Sequence, residues 1–179
     1  VGVQKIGANE PISYYYGRTP DGEPQSFITP DSGKGHYWIF SATRTTKGLY
    51  FFLPRIETLP GGGAFSFKMT GMSLAHVSNP ADPPDKWSIS QRDFPYTRPD
   101  QQESILYGSS TLAVGDYVYI YGIRSSPTTN GGRTSSMVVA RVREDQFGEF
   151  EAWRFLSGNT WTPDFRKADP LFPGIATEF

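Results

Sequence analysis

Short apolar runs bounded by Gly, Pro, Asn, Asp and Ser dominate the chain, and none carries the 3.6-residue period of an amphipathic helix. Eight runs predict strands: residues 37–43, 49–56, 65–77 with a break at Gly71, 87–92, 105–114, 117–124, 137–143 and 153–157. They fall into two groups of four. The second strand of each group departs from the alternation of a half-buried strand, because Leu49-Tyr50-Phe51-Phe52-Leu53 and Tyr117-Val118-Tyr119-Ile120-Tyr121 are apolar or aromatic throughout. Such strands are expected where protein covers both faces of a sheet.

The two groups align with each other. Gly48-Leu49-Tyr50-Phe51-Phe52 matches Asp116-Tyr117-Val118-Tyr119-Ile120, Leu74-Ala75-His76-Val77 matches Val139-Ala140-Arg141-Val142, and Lys86-Trp87-Ser88-Ile89 matches Ala152-Trp153-Arg154-Phe155, at offsets of 68, 65 and 66 residues. Unrelated strands would drift by whole loop lengths, so offsets this constant predict a structural repeat. A four-stranded unit covered on both sides is the blade of a β-propeller, whereas a sandwich leaves the outer face of each sheet wet. The predicted fold is therefore all-β, a β-propeller fragment. Two complete four-stranded blades span 37–104 and 105–164, a partial preceding blade and linker span 1–36, and 165–179 leads into a following blade. Two blades cannot close a ring, which predicts either self-association through the open edges, as a homo-oligomer, or a longer parent protein. The start at Val1 and the stop at Thr177-Glu178-Phe179 likewise predict flanking sequence.

Composition narrows the partners. Aromatic residues make up 15% of the chain, a content that suits pleated, half-buried surfaces. Seventeen basic and eighteen acidic residues leave a net charge of −1, which gives no broad field for nucleic acid. No apolar run approaches the roughly 20 residues of a membrane-spanning helix, so no membrane insertion is expected. The chain has no cysteine, which removes disulfides, thiolate metal sites and a cysteine nucleophile. Its two histidines, His36 and His76, form no metal motif, and no Gly-x-Ser-x-Gly elbow occurs. No cofactor is expected.

Three stretches carry a family likeness: Gly22-Glu23-Pro24-Gln25-Ser26-Phe27 leading to His36-Tyr37-Trp38, the run Gly115-Asp116-Tyr117-Val118-Tyr119-Ile120-Tyr121-Gly122, and Glu151-Ala152-Trp153-Arg154-Phe155 with Trp161. They resemble secreted bacterial domains of unknown function, which are themselves similar to five-bladed β-propeller glycosidases. The resemblance implies a five-bladed parent, an extracellular or periplasmic setting, a polysaccharide or other glycan as ligand, and carboxylates on the inner strands of the first three blades. The inner strand Tyr37-Trp38-Ile39-Phe40-Ser41 holds no acid, and a blade for the first carboxylate is lacking. Turnover is accordingly not expected of this chain alone. The function implied is that of a glycoside-hydrolase-like protein that processes or binds carbohydrate, with a non-catalytic propeller scaffold or binding module as the alternative.

Candidate residues follow from the repeat. Asp31, Glu103 and Glu178 precede inner strands at separations of 72 and 75 residues, so on a propeller they would ring one end of the channel. Paired carboxylates there could protonate a glycosidic oxygen and activate water or form a covalent adduct; acids in turns otherwise serve as solvated residues or local caps. His36 could hydrogen-bond a sugar hydroxyl, and Trp38 and Tyr107 on inner strands could stack on a sugar ring. Trp87 and Trp153 recur at matched places and read as packing between sheets. Gly61-Gly62-Gly63 lacks the Lys and Ser or Thr of a phosphate loop and reads as a hairpin loop, as does Asn130-Gly131-Gly132 within a mobile connection over 125–135.

Overall fold

The computed structural model describes residues 2–3, 11–61, 63, 66–100 and 102–175. Among them regular structure is all-β, interrupted only by 3-10 turns such as Pro84–Lys86 and Phe150–Ala152, and no helix is long and apolar enough to cross a membrane. The first sheet contains β1 (His36–Tyr37), β2 (Ser41–Thr45), β3 (Gly48–Thr58), β4 (Phe67–Val77) and β5 (Ile89–Asp93). Both β1 and β2 pair with β3, so together they form one broken edge, and the sheet runs β1/β2–β3–β4–β5, antiparallel throughout. The second sheet is an antiparallel meander of β6 (Arg98–Pro99), β7 (Ser104–Val114), β8 (Tyr117–Pro127), β9 (Arg133–Arg143), β10 (Arg154–Ser157) and β11 (Thr160–Thr162) in chain order.

All eight expected strands are present. The two expected groups of four, however, are sheets of five and six strands, with β6 and β11 added at the edges of the second, and three further details need correction. The edge strand expected over 37–43 is split around Trp38-Ile39-Phe40, although the amides of Trp38 and Phe40 still donate to the carbonyls of Pro54 and Phe52 at 3.0 Å. The break expected at Gly71 is a bulge instead: β4 continues through it, and the register slips beside Arg55. The connection expected to be mobile over 125–135 is mostly ladder, since β8 and β9 pair as far as Pro127 and Arg133 and leave a loop of only 128–132.

The two hairpins fix how the sheets correspond. Thr45 pairs with Gly48 across Thr46-Lys47, and Val114 pairs with Tyr117 across Gly115-Asp116, which places Gly48 and Tyr117 in the same position at an offset of 69. Tyr50 then corresponds to Tyr119, and their ladder partners His76 and Arg141 correspond at 65, as the sequence alignment has it. The sequence alignment of the second strand is thus one residue short. A slip of one residue exchanges the faces of a strand, so the correction matters. Tyr50 and Phe52 of β3 correspond to Tyr119 and Tyr121, while Leu49 and Phe51 correspond to Val118 and Ile120.

The main core is built from Tyr50, Phe52, Met72 and Leu74 of the first sheet and Val118, Ile120, Val138, Ala140 and Val142 of the second, with Phe147, Trp153 and Phe155 between them. One sheet therefore contributes the row equivalent to the outward row of the other. The sheets stack head to tail rather than face to equivalent face. Trp153 is fully buried and donates its indole N–H to the Phe147 carbonyl at 3.0 Å, as a packing residue should. Gly108, at φ +95°, permits the closest approach: a Cβ there would meet Phe52 Cγ at 2.2 Å.

Among the described residues, the expectation that both faces of the second strands are covered holds for the first sheet alone. Behind it, Phe27 meets Trp87 edge to face with ring centres 6.0 Å apart, Trp87 lies 6.1 Å from Phe51, and Leu53, Ala75 and Val77 on that side are fully buried. On the far side of the second sheet Tyr117, Tyr119 and Tyr121 remain half-exposed.

Candidate functional site

The back of the first sheet carries a polar cleft of about 250 Å³. Four strands place its groups side by side. Tyr37 on β1 is opposite Arg55 on β3, Arg55 is opposite Gly71 on β4, and Ser73 on β4 is opposite Asp93 on β5, with Gln91 two residues earlier on the same face. Gly71 makes room for the guanidinium: a Cβ at that position would lie 2.5 Å from Arg55 Nη2. Arg55 Nη1 pairs with Asp93 Oδ1.

Gln91 ties the cleft to the segment that roofs it. Its amide nitrogen donates to the Thr29 carbonyl (3.0 Å) and to Asp31 Oδ1 (2.9 Å), while its carbonyl oxygen accepts from the Tyr37 hydroxyl (2.7 Å). Tyr37 also lies 3.0 Å from Ser73 Oγ. Burial raises the Tyr37 phenol above the ordinary tyrosine value; Ser73 and Arg55 oppose the rise, and the charges of Asp31 and Asp93 add to it. The hydroxyl therefore stays protonated and remains a donor. Two carboxylates, a guanidinium, a primary amide and two hydroxyls converge, the mixture of fixed donors and acceptors that a polyhydroxylated ligand needs.

Of the described residues expected from sequence, Asp31 lies in this cleft, as does Tyr37, which the sequence also offers as an aromatic platform for a sugar ring. Glu103 stands at the entrance to β7, where Arg124 Nη2 holds one carboxylate oxygen at 2.7 Å and Arg98 Nη1 the other at 3.3 Å. Arg124 also donates to the Ala168 carbonyl at 2.8 Å, so this acid anchors a strand edge to the chain that follows the second sheet. Asp31 and Glu103 thus sit in separate networks, and Glu178 lies outside the described residues. His36 is exposed opposite Ile56 on β1. Trp38 is 41% exposed and meets Phe67 edge to face at 4.8 Å. Tyr107 is fully buried against Phe155, with ring centres 5.2 Å apart, and its hydroxyl has no partner among the described residues.

Sequence reasoning missed Arg55, Ser73, Gln91 and Asp93, whose only sequence signal is a polar residue at an alternate position of a strand. Residues 5–179 match the family described as a domain of unknown function, DUF5005. The chain belongs to that family. No curated protein matches it at a significant level. Within this DUF5005 domain no group of three or more His, Cys, Asp or Glu among the described residues is arranged to hold a metal ion. The cleft offers hydrogen bonds and charge.

Proposed function

We propose that this DUF5005 domain is a carbohydrate-binding piece of a secreted β-propeller, whose two sheets are consecutive blades and whose sugar site is the Asp31–Tyr37–Gln91 cleft. The observation that carries the reading is the convergence of the Tyr37 hydroxyl, the Gln91 amide and the Asp31 carboxylate on one open cleft, already oriented by each other's hydrogen bonds. Groups fixed before binding lose little freedom when a sugar hydroxyl replaces water between them. Head-to-tail stacking supports the blade assignment, because a propeller repeats one such interface around its axis. Likeness to five-bladed glycosidases supports the ligand class.

Binding is favoured over hydrolysis by the state of Glu103. Two guanidiniums hold its carboxylate, and Asp31 accepts from Gln91 in another network, so neither acid stands ready as the proton donor or base that glycoside hydrolysis uses. Extracellular or periplasmic residence and homo-association through the open stack belong to the same reading.

A glycan array probed with the purified chain, followed by calorimetry on the hits, tests it. Tyr37→Phe and Asp31→Asn should each weaken binding about tenfold or more, as expected when one charge-assisted or buried hydrogen bond is lost. Unchanged affinity in both variants would remove the cleft from consideration. Release of sugar from a chromogenic glycoside by the wild-type chain, abolished in Glu103→Gln, would replace binding with hydrolysis.

A further inference from the structure

On the opposite face of the first sheet, at the seam with the second, lies a cavity of about 270 Å³ bordered by Tyr50, His76, Ser90 and Arg92 on one side and Gly148 and Phe150 on the other. Its lining differs from that of the Asp31 cleft, where two carboxylates face Arg55. No carboxylate lines it, and two basic side chains do. Arg92 is held in place from the second sheet: Nη1 donates to the Gly148 carbonyl at 2.9 Å, and the guanidinium carbon lies 4.6 Å from the centre of the Phe150 ring. One of its five N–H groups is thereby used, and among the described residues no carboxylate reaches salt-bridge distance, in contrast to Arg55, Arg98, Arg124 and Arg143.

His76 is equally fixed. Its ring stacks on Tyr50, with centres 4.4 Å apart and planes 19° from parallel, and Nε2 donates to the Lys47 carbonyl at 2.8 Å. Ser90 is directly opposite His76 in the ladder and adds a hydroxyl on the same face. A planar guanidinium fork with free N–H groups matches a carboxylate in a bidentate pair. Leu74 and Phe150 give the cavity an apolar side that suits the C–H face of a ring and that an inorganic ion would leave in contact with water. The volume suits one small unit rather than a chain.

We infer that this seam cavity binds a uronic acid residue, its carboxylate on Arg92 and a ring hydroxyl on Ser90. The inference rests on the carbohydrate reading above but uses a separate site, and it narrows the glycan to an acidic one. Both sheets contribute to the cavity, so its occupancy would also tie them together.

Calorimetric titration of the full chain with glucuronate, glucose and sodium sulfate provides the test. Glucuronate should bind at least tenfold more tightly than glucose or sulfate, and Arg92→Gln should remove that preference while Ser90→Ala weakens glucuronate several-fold. Arg92→Lys, which keeps the charge and loses the fork, should retain only part of the affinity, and melting curves of each variant confirm folding. Equal binding of glucuronate and glucose, a sulfate affinity matching glucuronate, or undiminished glucuronate binding by a folded Arg92→Gln would each overturn the inference. Because Arg92 also borders the Asp31 cleft, Tyr37→Phe and Asp31→Asn are titrated in parallel. They should leave glucuronate affinity unchanged; glucuronate binding that vanishes in these two variants and survives Arg92→Gln would move the ligand to the other cleft. Absence of neutral-glycan binding in the wild-type chain, with glucuronate bound and lost in Arg92→Gln, would sink the earlier reading alone.

Discussion

Tyr50 and Phe52 in the first sheet and Tyr119 and Tyr121 in the second occupy the same rungs of their ladders, yet the first pair is 5% and 0% exposed and the second half-exposed. The difference is one of neighbours. The first sheet has the second sheet on one side and residues 27–31 on the other; among the described residues, the second sheet is packed against another sheet on one side alone. Its free side shows Leu112 and Val114 at 51% and 53% exposure, beside a guanidinium of Arg141 set 4.7 Å from the Tyr117 ring and 4.1 Å from Trp161. Strand patterning makes both rows apolar, and stacking decides which of them contributes to stability.

The contrast is most directly broken with a matched pair of truncations. Phe52→Ala should cost about 3–5 kcal/mol in denaturant unfolding, since it empties a core site, whereas Tyr121→Ala at the corresponding rung should cost less than about 1 kcal/mol. Equal losses would mean that the free face of the second sheet is covered in solution. Gly108→Ala should cost about 2–3 kcal/mol, because a side chain at positive φ is strained and its Cβ would strike Phe52. A smaller loss would show the seam to be looser than its geometry indicates.

The side-chain ties of the two sheets offer a finer comparison. The Tyr37–Gln91 bond ties the two edge strands of the first sheet through neutral groups, and Glu103 ties the second through Arg124 and Arg98. Glu103→Gln should therefore cost about 1–2 kcal/mol, a value reduced by the partial exposure of the pair, and the loss should shrink in high salt. Salt-independent destabilisation would point to packing instead of charge.

The smallest change is expected at Tyr107. Its buried hydroxyl has no partner among the described residues, so Tyr107→Phe should be neutral or stabilising by up to about 1 kcal/mol. Burial also pushes its phenol above the ordinary value of 10.0. Below pH 10 folded and unfolded chains are both protonated there and nothing is lost. Above it the unfolded chain releases the proton while the folded one resists, so stability falls as pH rises toward the folded value. Unfolding curves between pH 9 and 11 should be steeper in pH for the wild type than for Tyr107→Phe, and equal slopes would mean that the phenol reaches solvent.

The eight longer strands, the hairpin turns and the β character were legible in the order of residues, because alternation, glycine turns and β-branched or aromatic runs act within a few positions of one another; the short edge strands β6 and β11 were not. The correspondence of the two hairpins was legible to within one residue, and His76 was aligned with Arg141 as the ladders pair them. Which row of each sheet faces the core was not, since a shift of one residue reverses it and aromatic residues fill both rows. Tyr107 looked like a ligand platform and became core for the same reason. The Tyr37–Gln91 cleft gathers residues from four strands and a roofing segment, and the Arg92 cavity joins two sheets. Local pattern specifies which way a side chain alternates along its own strand; what stands opposite it is set by non-local packing, which no single stretch of chain encodes.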